Sequence, residues 1–294
     1  MPRPRRETGR YAIYAGLAGF LVIAMVAWIL RGLESAEPRH FVYRSIDGHS
    51  LTLDVYLPGS WKPEDQRPCV VWFFGGGWEV GVPWQYERHA RKLASQGIVS
   101  ITPDYRVKAR HGGKNTPFES LDDARAAMAW VRSHAMELGI DPHRIAAAGG
   151  SSGGHLALGC AVFETNPDHH PDALMLFNPV VDFEIPFVAK RTNANERERL
   201  RSIAPLHHLA GPLPPTLIFH GTADAIVPIK TSEAFVDEAI GKGSVQVRLI
   251  RYPGNGHEFH LGGAASRREF HSSLKEIEDF LRELGWLPDA DEAD

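Results

Sequence analysis

The chain is 294 residues long, with 43% hydrophobic and 23% charged residues, the balance of an ordinary globular protein with room for one large domain. A formal net charge of −4, with no Lys/Arg cluster beyond the N-terminus, excludes a nucleic-acid binder. The two cysteines, Cys69 and Cys160, lie in apolar runs and are expected as buried free thiols rather than a disulfide framework.

In chain order, Arg3, Arg5, Arg6 and Arg10 come first. They precede "YAIYAGLAGFLVIAMVAWIL", Tyr11 to Leu30, which carries no charge. That length spans a bilayer as a helix, and the arginine bias keeps the N-terminus cytoplasmic and exports the rest. Residues 1–36 are therefore expected to be a membrane anchor, with a cleaved signal segment as the alternative, and the remaining domain to lie outside the cytoplasm. Next, "HFVYRSIDGHSLTLDVYLPG" reads as two strands joined around Asp47-Gly48. "RPCVVWFFGGGW" is an apolar strand ending in glycines, "YERHARKLASQG" a helix closed by Gly97, and "IVSITPDYR" a buried strand. "SLDDARAAMAWVRSHAMELG" is an amphipathic helix with a loose Ser120/Asp123 capping pattern, ended by Gly139. "RIAAAGG" is a strand and "GHLALGCAVF" the helix after it. "ALMLFNPVV" and "PTLIFHGTAD" are strands, "TSEAFVDEAIGKG" a helix, "VQVRLIRYPG" a strand, and "SRREFHSSLKEIEDFLRELGW" a final helix.

This alternation predicts an α/β fold with a mostly parallel central sheet, helices on both faces, and an antiparallel hairpin at one edge. One domain over residues 37–288 is expected. A charged stretch, 182–205, interrupts it as a small lid-like insertion, and residues 289–294 form an acidic tail.

Ligands in such sheets gather at the C-terminal ends of the strands, and four of those ends carry useful chemistry. In "AAAGGSSGGHLAL", a serine on a tight strand-to-helix turn needs small residues two before and two after it. Both serines qualify: Ser151 has Gly149 and Gly153, Ser152 has Gly150 and Gly154, and spacing does not choose between them. No G-K-[ST] follows, which argues against a phosphate-binding loop. In "FFGGGW", consecutive glycines leave backbone N–H groups free to face a developing oxyanion. Asp224 and His257 stand at later strand ends, giving the chain order Ser, Asp, His. "HEFH" lacks the H-E-x-x-H spacing of a zinc site, and the tandem pairs His169-His170 and His207-His208 read as solvated. Asp104 and Arg106 are expected to pair and brace a loop. Trp78, Trp84 and Tyr86 follow the glycines and are expected to wall a substrate pocket.

"GGGW", "PDYR", "DDARAAMAWV", "GGSSGGHLAL", "HGTADAIVP" and "GNGHEF" stand in an order that resembles the α/β-hydrolase esterases, in particular the hormone-sensitive-lipase-like and acetyl-esterase branches. The resemblance runs from Phe41 to Trp286. It implies the α/β-hydrolase fold and assigns Ser152 as nucleophile over Ser151. It makes His257 the base and then acid, and Asp224 the group that orients His257. The N–H groups of Gly76, Gly77 and Gly153 become the oxyanion donors. One departure is plain: Phe74 stands where the lipase-like branch usually has histidine. The implied activity is hydrolysis of short acyl esters, acetyl esters first among them, on small molecules or polysaccharide, with no cofactor or metal. A peptidase or amidase of the same fold is the alternative, and an inactive membrane-tethered binding module a more distant one.

Overall fold

A computed structural model of the chain describes residues 37–112, 116–263 and 266–289. The expected anchor, residues 1–36, and all of the expected tail but Asp289 lie outside the described residues. Among those described, no helix is long and apolar enough to cross a membrane.

Eight strands form one sheet in the order β1-β2-β4-β3-β5-β6-β7-β8. The hairpin of β1 (Arg39–Ile46) and β2 (His49–Tyr56) turns at Asp47-Gly48, both at positive φ, as a two-residue hairpin turn requires. β2 runs antiparallel to β4 (Val99–Pro103); every pair from there to the far edge is parallel. β3 (Arg67–Phe73), β5 (Ile140–Gly150), β6 (Ala173–Phe177) and β7 (Thr216–Gly221) lie inside the sheet, and β8 (Val247–Tyr252) closes the edge. The inner strands read as unbroken apolar runs because helices cover both of their faces; Val70, Val71, Leu174, Met175, Leu217 and Ile218 are fully buried. The edge strand β1 has no fully buried residue. Cys69 and Cys160 are free and buried, as expected.

Besides a single helical turn at Lys108–His111, the helices among the described residues are α1 (Glu87–Ala94), α2 (Pro117–Ser133), α3 (Ser152–Val162), α4 (Pro186–Ala189), α5 (Ala194–Arg201), α6 (Ile229–Gly241) and α7 (Arg267–Glu283). α1 meets α7 through the His89 and Phe270 rings, 4.8 Å apart; α2 packs on α3, where Gly159 leaves room for Leu121.

Two local expectations are corrected. α2 starts at Pro117 with a reciprocal Thr116/Glu119 capping box, not with Ser120 and Asp123. The Ser120 hydroxyl instead donates to the Arg106 carbonyl, 2.7 Å away. Nor do Asp104 and Arg106 pair. The fully buried Asp123 carboxylate needs cations, and Arg106 supplies Nε to it at 2.8 Å while also reaching Asp47. Asp104 accepts from both terminal guanidinium nitrogens of Arg110. The outcome of the fold is positional. β3 ends at the glycine loop, β5 at the two serines, and β6 at Asn178. Asp224 lies just past the end of β7, and His257 in the loop after β8.

Candidate active site

The two serines occupy different environments. Ser151 sits between β5 and α3 at φ 56°, ψ −121°, a backbone conformation that non-glycine residues rarely adopt and that costs about 1–3 kcal/mol. The turn holds it there: Ser151 N–H donates to the Phe177 carbonyl at 2.9 Å, and its own carbonyl accepts from His155 and Val180. Sterics demand the flanking glycines. A Cβ on Gly149 would lie 2.5 Å from the Phe73 carbonyl oxygen, and one on Gly153 would collide with the carbonyls of Phe73 and Phe74. Ser151 lines a cavity of about 410 Å³ together with His257. Ser152 is fully buried in the first turn of α3, and its Oγ accepts the Gly77 N–H at 2.9 Å. The structure thus does not bring the expected nucleophile, Ser152, to the cavity wall; Ser151 stands there.

Moving the turn by one residue also moves the backbone donors. Gly153 N–H is not the group beside Ser151; Gly153 packs under the β3 carbonyls and does not line the cavity. The residue following the turn is Ser152, whose N–H belongs to the open first turn of α3. Gly76 and Gly77 line the cavity as expected, but Gly77 N–H is already committed to Ser152 Oγ. The loop has three further ties that the sequence did not reveal. Gly75 N–H donates to Gln85 Oε1 at 2.6 Å, Tyr105 donates to the Phe74 carbonyl at 2.6 Å, and the Phe74 and Tyr105 rings stack at 3.9 Å. Together they anchor the loop in which Phe74 replaces the usual histidine.

Asp224 and His257 come together from separate strand ends. His257 Nδ1 lies 2.7 Å from Asp224 Oδ2, and the Asp224 side chain is shielded from solvent. Burial raises the carboxyl, but bonds from His220 and His257 and the Val227 N–H outweigh it and hold it well below the usual carboxylate range. Asn178, at φ 35° and fully buried, places its amide nitrogen 3.2 Å from His257 Nδ1 and 3.4 Å from Nε2. Sequence reasoning missed Asn178, His220 and His260. His260 also borders the cavity; burial, followed by the neighbouring imidazoles of His89 and His257, pushes it well below the ordinary histidine range.

Of the three expected pocket aromatics, only Trp78 lines the cavity. Tyr86 is buried beneath it, stacked on Trp72 with its hydroxyl 3.0 Å from His260 Nε2. Trp84 points outward from a single 3₁₀ turn and is 66% exposed. The 182–205 segment supplies wall instead, through Ile185, Phe187 and Arg191.

Fold and site together define an α/β-hydrolase. The BD-FAE family model matches residues 53–183. Thermogutta terrifontis esterase 2, in a structure phosphorylated by paraoxon, is 34% identical with a TM-score of 0.77, over 87% of this chain and 97% of that one. Its butyrate-bound structure is 36% identical with a TM-score of 0.75, over 88% of this chain and 98% of that one. A probable carboxylic ester hydrolase, LipM, of Mycobacterium tuberculosis is 28% identical over 81% of this chain and 59% of its own length. Esterase LipC of the same organism is 29% identical over 80% and 63%. The chain thus spans about 60% of the length of these two curated relatives. It belongs to the α/β-hydrolase-fold esterases, in their hormone-sensitive-lipase-like branch.

Proposed function

We propose that the protein hydrolyses carboxylic esters of short acyl groups, acetyl among them, with Ser151 as nucleophile. One observation carries this reading: a serine in a strained strand-to-helix turn shares a cavity wall with an imidazole whose far nitrogen meets a buried carboxylate at 2.7 Å. The short-chain preference draws support from the similar esterase, which has been seen with propionate and with butyrate bound.

Ser151 Oγ attacks the ester carbonyl and its proton passes to His257 Nε2. Asp224 accepts from Nδ1–H, fixing the tautomer and stabilising the imidazolium that forms. The carbonyl oxygen, now carrying negative charge, is received by the N–H groups of Gly76 and Ser152. His257 returns the proton to the departing alcohol, then activates the water that frees the acid from Ser151.

The test is covalent labelling by a fluorophosphonate probe beside turnover of p-nitrophenyl acetate. Ser151→Ala loses the label and about 10⁶ in kcat, while Ser152→Ala keeps the label. The reverse pattern overturns the assignment, and faster cleavage of aminoacyl amides than of esters overturns the substrate class. The domain of residues 37–288 is proposed to be tethered outside the cytoplasm by the uncharged segment Tyr11–Leu30. Recovery of the full chain in the carbonate-washed membrane fraction is expected; recovery in the soluble fraction at full length contradicts it.

A further inference from the structure

A second groove, of about 220 Å³, lies against the catalytic cavity. Its apolar lining comes from Trp78, Phe183, Val188 and Leu200, and Lys108 stands at its edge. The two spaces share Gly77, Trp78, Glu79, Phe187 and Arg191 as common wall. Phe187 is the apolar side chain of the 182–205 segment within that wall, and its ring is clamped from two sides. On one side it lies against Gly77, so close that a Cβ there would sit 2.9 Å from Phe187 Cζ. On the other, the Arg191 guanidinium stacks with its carbon 3.8 Å from the ring centroid, while Nη1 donates to the Phe187 carbonyl at 2.9 Å.

We propose that Phe187, held by Arg191, is a gate between the catalytic cavity and this groove, and that it sets the length of apolar chain an ester substrate can carry. The inference rests on the ester-hydrolase reading above and deepens it. Ile185 and Val180 on the near side of the ring, and Phe183, Val188 and Leu200 on the far side, make an apolar path that the ring interrupts. The gate stands on α4, a single helical turn with loops on both sides, and its clamp is a solvent-exposed arginine. Such an element is displaced at lower cost than the buried sheet beneath it. The occupant is an unbranched alkyl chain. It belongs either to the acyl leg or to the alcohol leg of the ester, and both present the same chemistry to the groove.

The experiment measures kcat/KM of the full-length chain along two series: p-nitrophenyl esters with acyl groups of two to ten carbons, and alkyl acetates with alcohols of the same lengths. The wild type is expected to fall steeply beyond four carbons in the series whose chain runs through the gate. Phe187→Ala is expected to raise the eight-to-two-carbon ratio by about tenfold in that series, since each accommodated methylene adds binding. Arg191→Ala, which frees the ring without removing it, is expected to raise the ratio by about threefold. The length ratio, and not the turnover of the shortest ester, is the readout, because Phe187 and Arg191 both line the catalytic cavity. An unchanged ratio in both series, or a uniform loss at every length, overturns the gate. Phe187→Val applies the same criterion if the alanine variant does not fold. Failure of the wild type to turn over any ester or take up the fluorophosphonate overturns the underlying hydrolase reading, and the gate with it.

Discussion

The turn that carries Ser151 and the 182–205 segment border one cavity, yet different forces hold them. Around Ser151 the backbone is over-determined. Its strained φ is enforced by three main-chain hydrogen bonds, by glycines packed against the β3 carbonyls, and by buried aromatic and imidazole side chains. The facing segment is anchored by buried Phe183 and Ile185 at one end and Ile203 and Ala204 at the other, and between them it is held by contacts near water. Asn193 and Glu196 cap α5 reciprocally, Arg197 reaches Glu184 at 3.4 Å, and Arg191 lies over Phe187. Within its helices only Val188 and Leu200 are buried, and at its C-terminal end His155 Nε2 holds the Ile203 carbonyl at 2.8 Å. On the proposed reading, the nucleophile sits on the part that cannot relax and the gate on the part that can.

Acid is the strongest way to break this contrast. His89, His155 and His260 lie buried around the turn, and burial is the leading cause that lowers each. His89 falls to about 3, His155 to about 4, and His260 well below the ordinary value. Folded, they stay neutral; unfolded, each takes a proton near pH 6.5. The stability that depends on their neutrality is therefore complete above about pH 6.5 and is lost as pH falls, by about 1.4 kcal/mol per unit for each histidine. Three such groups give about 4 kcal/mol per unit in urea unfolding between pH 6 and 5, and His155→Gln removes about a third of that slope. A slope identical in the variant disproves the assignment.

Next in size, Gly153→Ala forces a methyl group into the β3 carbonyls and is expected to cost about 3 kcal/mol or more. Glu184→Ala, on the other side of the cavity, is expected to cost less than about 1 kcal/mol. Equal losses in the two variants would erase the distinction between the regions. The smallest effect sharpens the comparison within the turn itself. Ser152→Ala releases Gly77 N–H from its buried partner and loosens the glycine loop. Its expected cost is about tenfold in kcat with little change in KM, far short of losing a nucleophile. A kcat within twofold of wild type would show that the tie does not position the loop.

The inner strands were legible because a sheet covered on both faces demands continuous apolar runs, and "CVVWFF", "ALMLF" and "TLIFHG" are such runs; the edge hairpin, with no fully buried residue in β1, was legible from its turn at Asp47-Gly48. Asp224 and His257 were legible because strand ends gather in space in a fixed chain order. The choice between Ser151 and Ser152 was not, since glycines flank both at the same offsets and only the backbone dihedrals separate them. Asp104 and Arg106 misled because nearness in sequence is a weak guide beside a fully buried carboxylate, Asp123, that must find cations across 17 residues. Trp84 and Tyr86 diverged because a 3₁₀ turn points residues two apart in different directions, one to solvent and one beneath the sheet end. Asn178 carries no signal of its own in "LFNPVV"; its position depends on where β6 stops.

Phe74 has a last consequence. Where relatives in this branch usually place an ionisable ring ahead of the glycines, this chain has a hydrocarbon one, and the polar ties fall to an amide, Gln85, an alcohol, Ser152, and a phenol, Tyr105, whose acidity burial suppresses. None of these side chains gains or loses a proton in neutral or mildly alkaline water. The contour of the glycine loop is thereby uncoupled from proton activity over that range, so a mildly basic medium leaves its hydrogen-bonded frame unaltered.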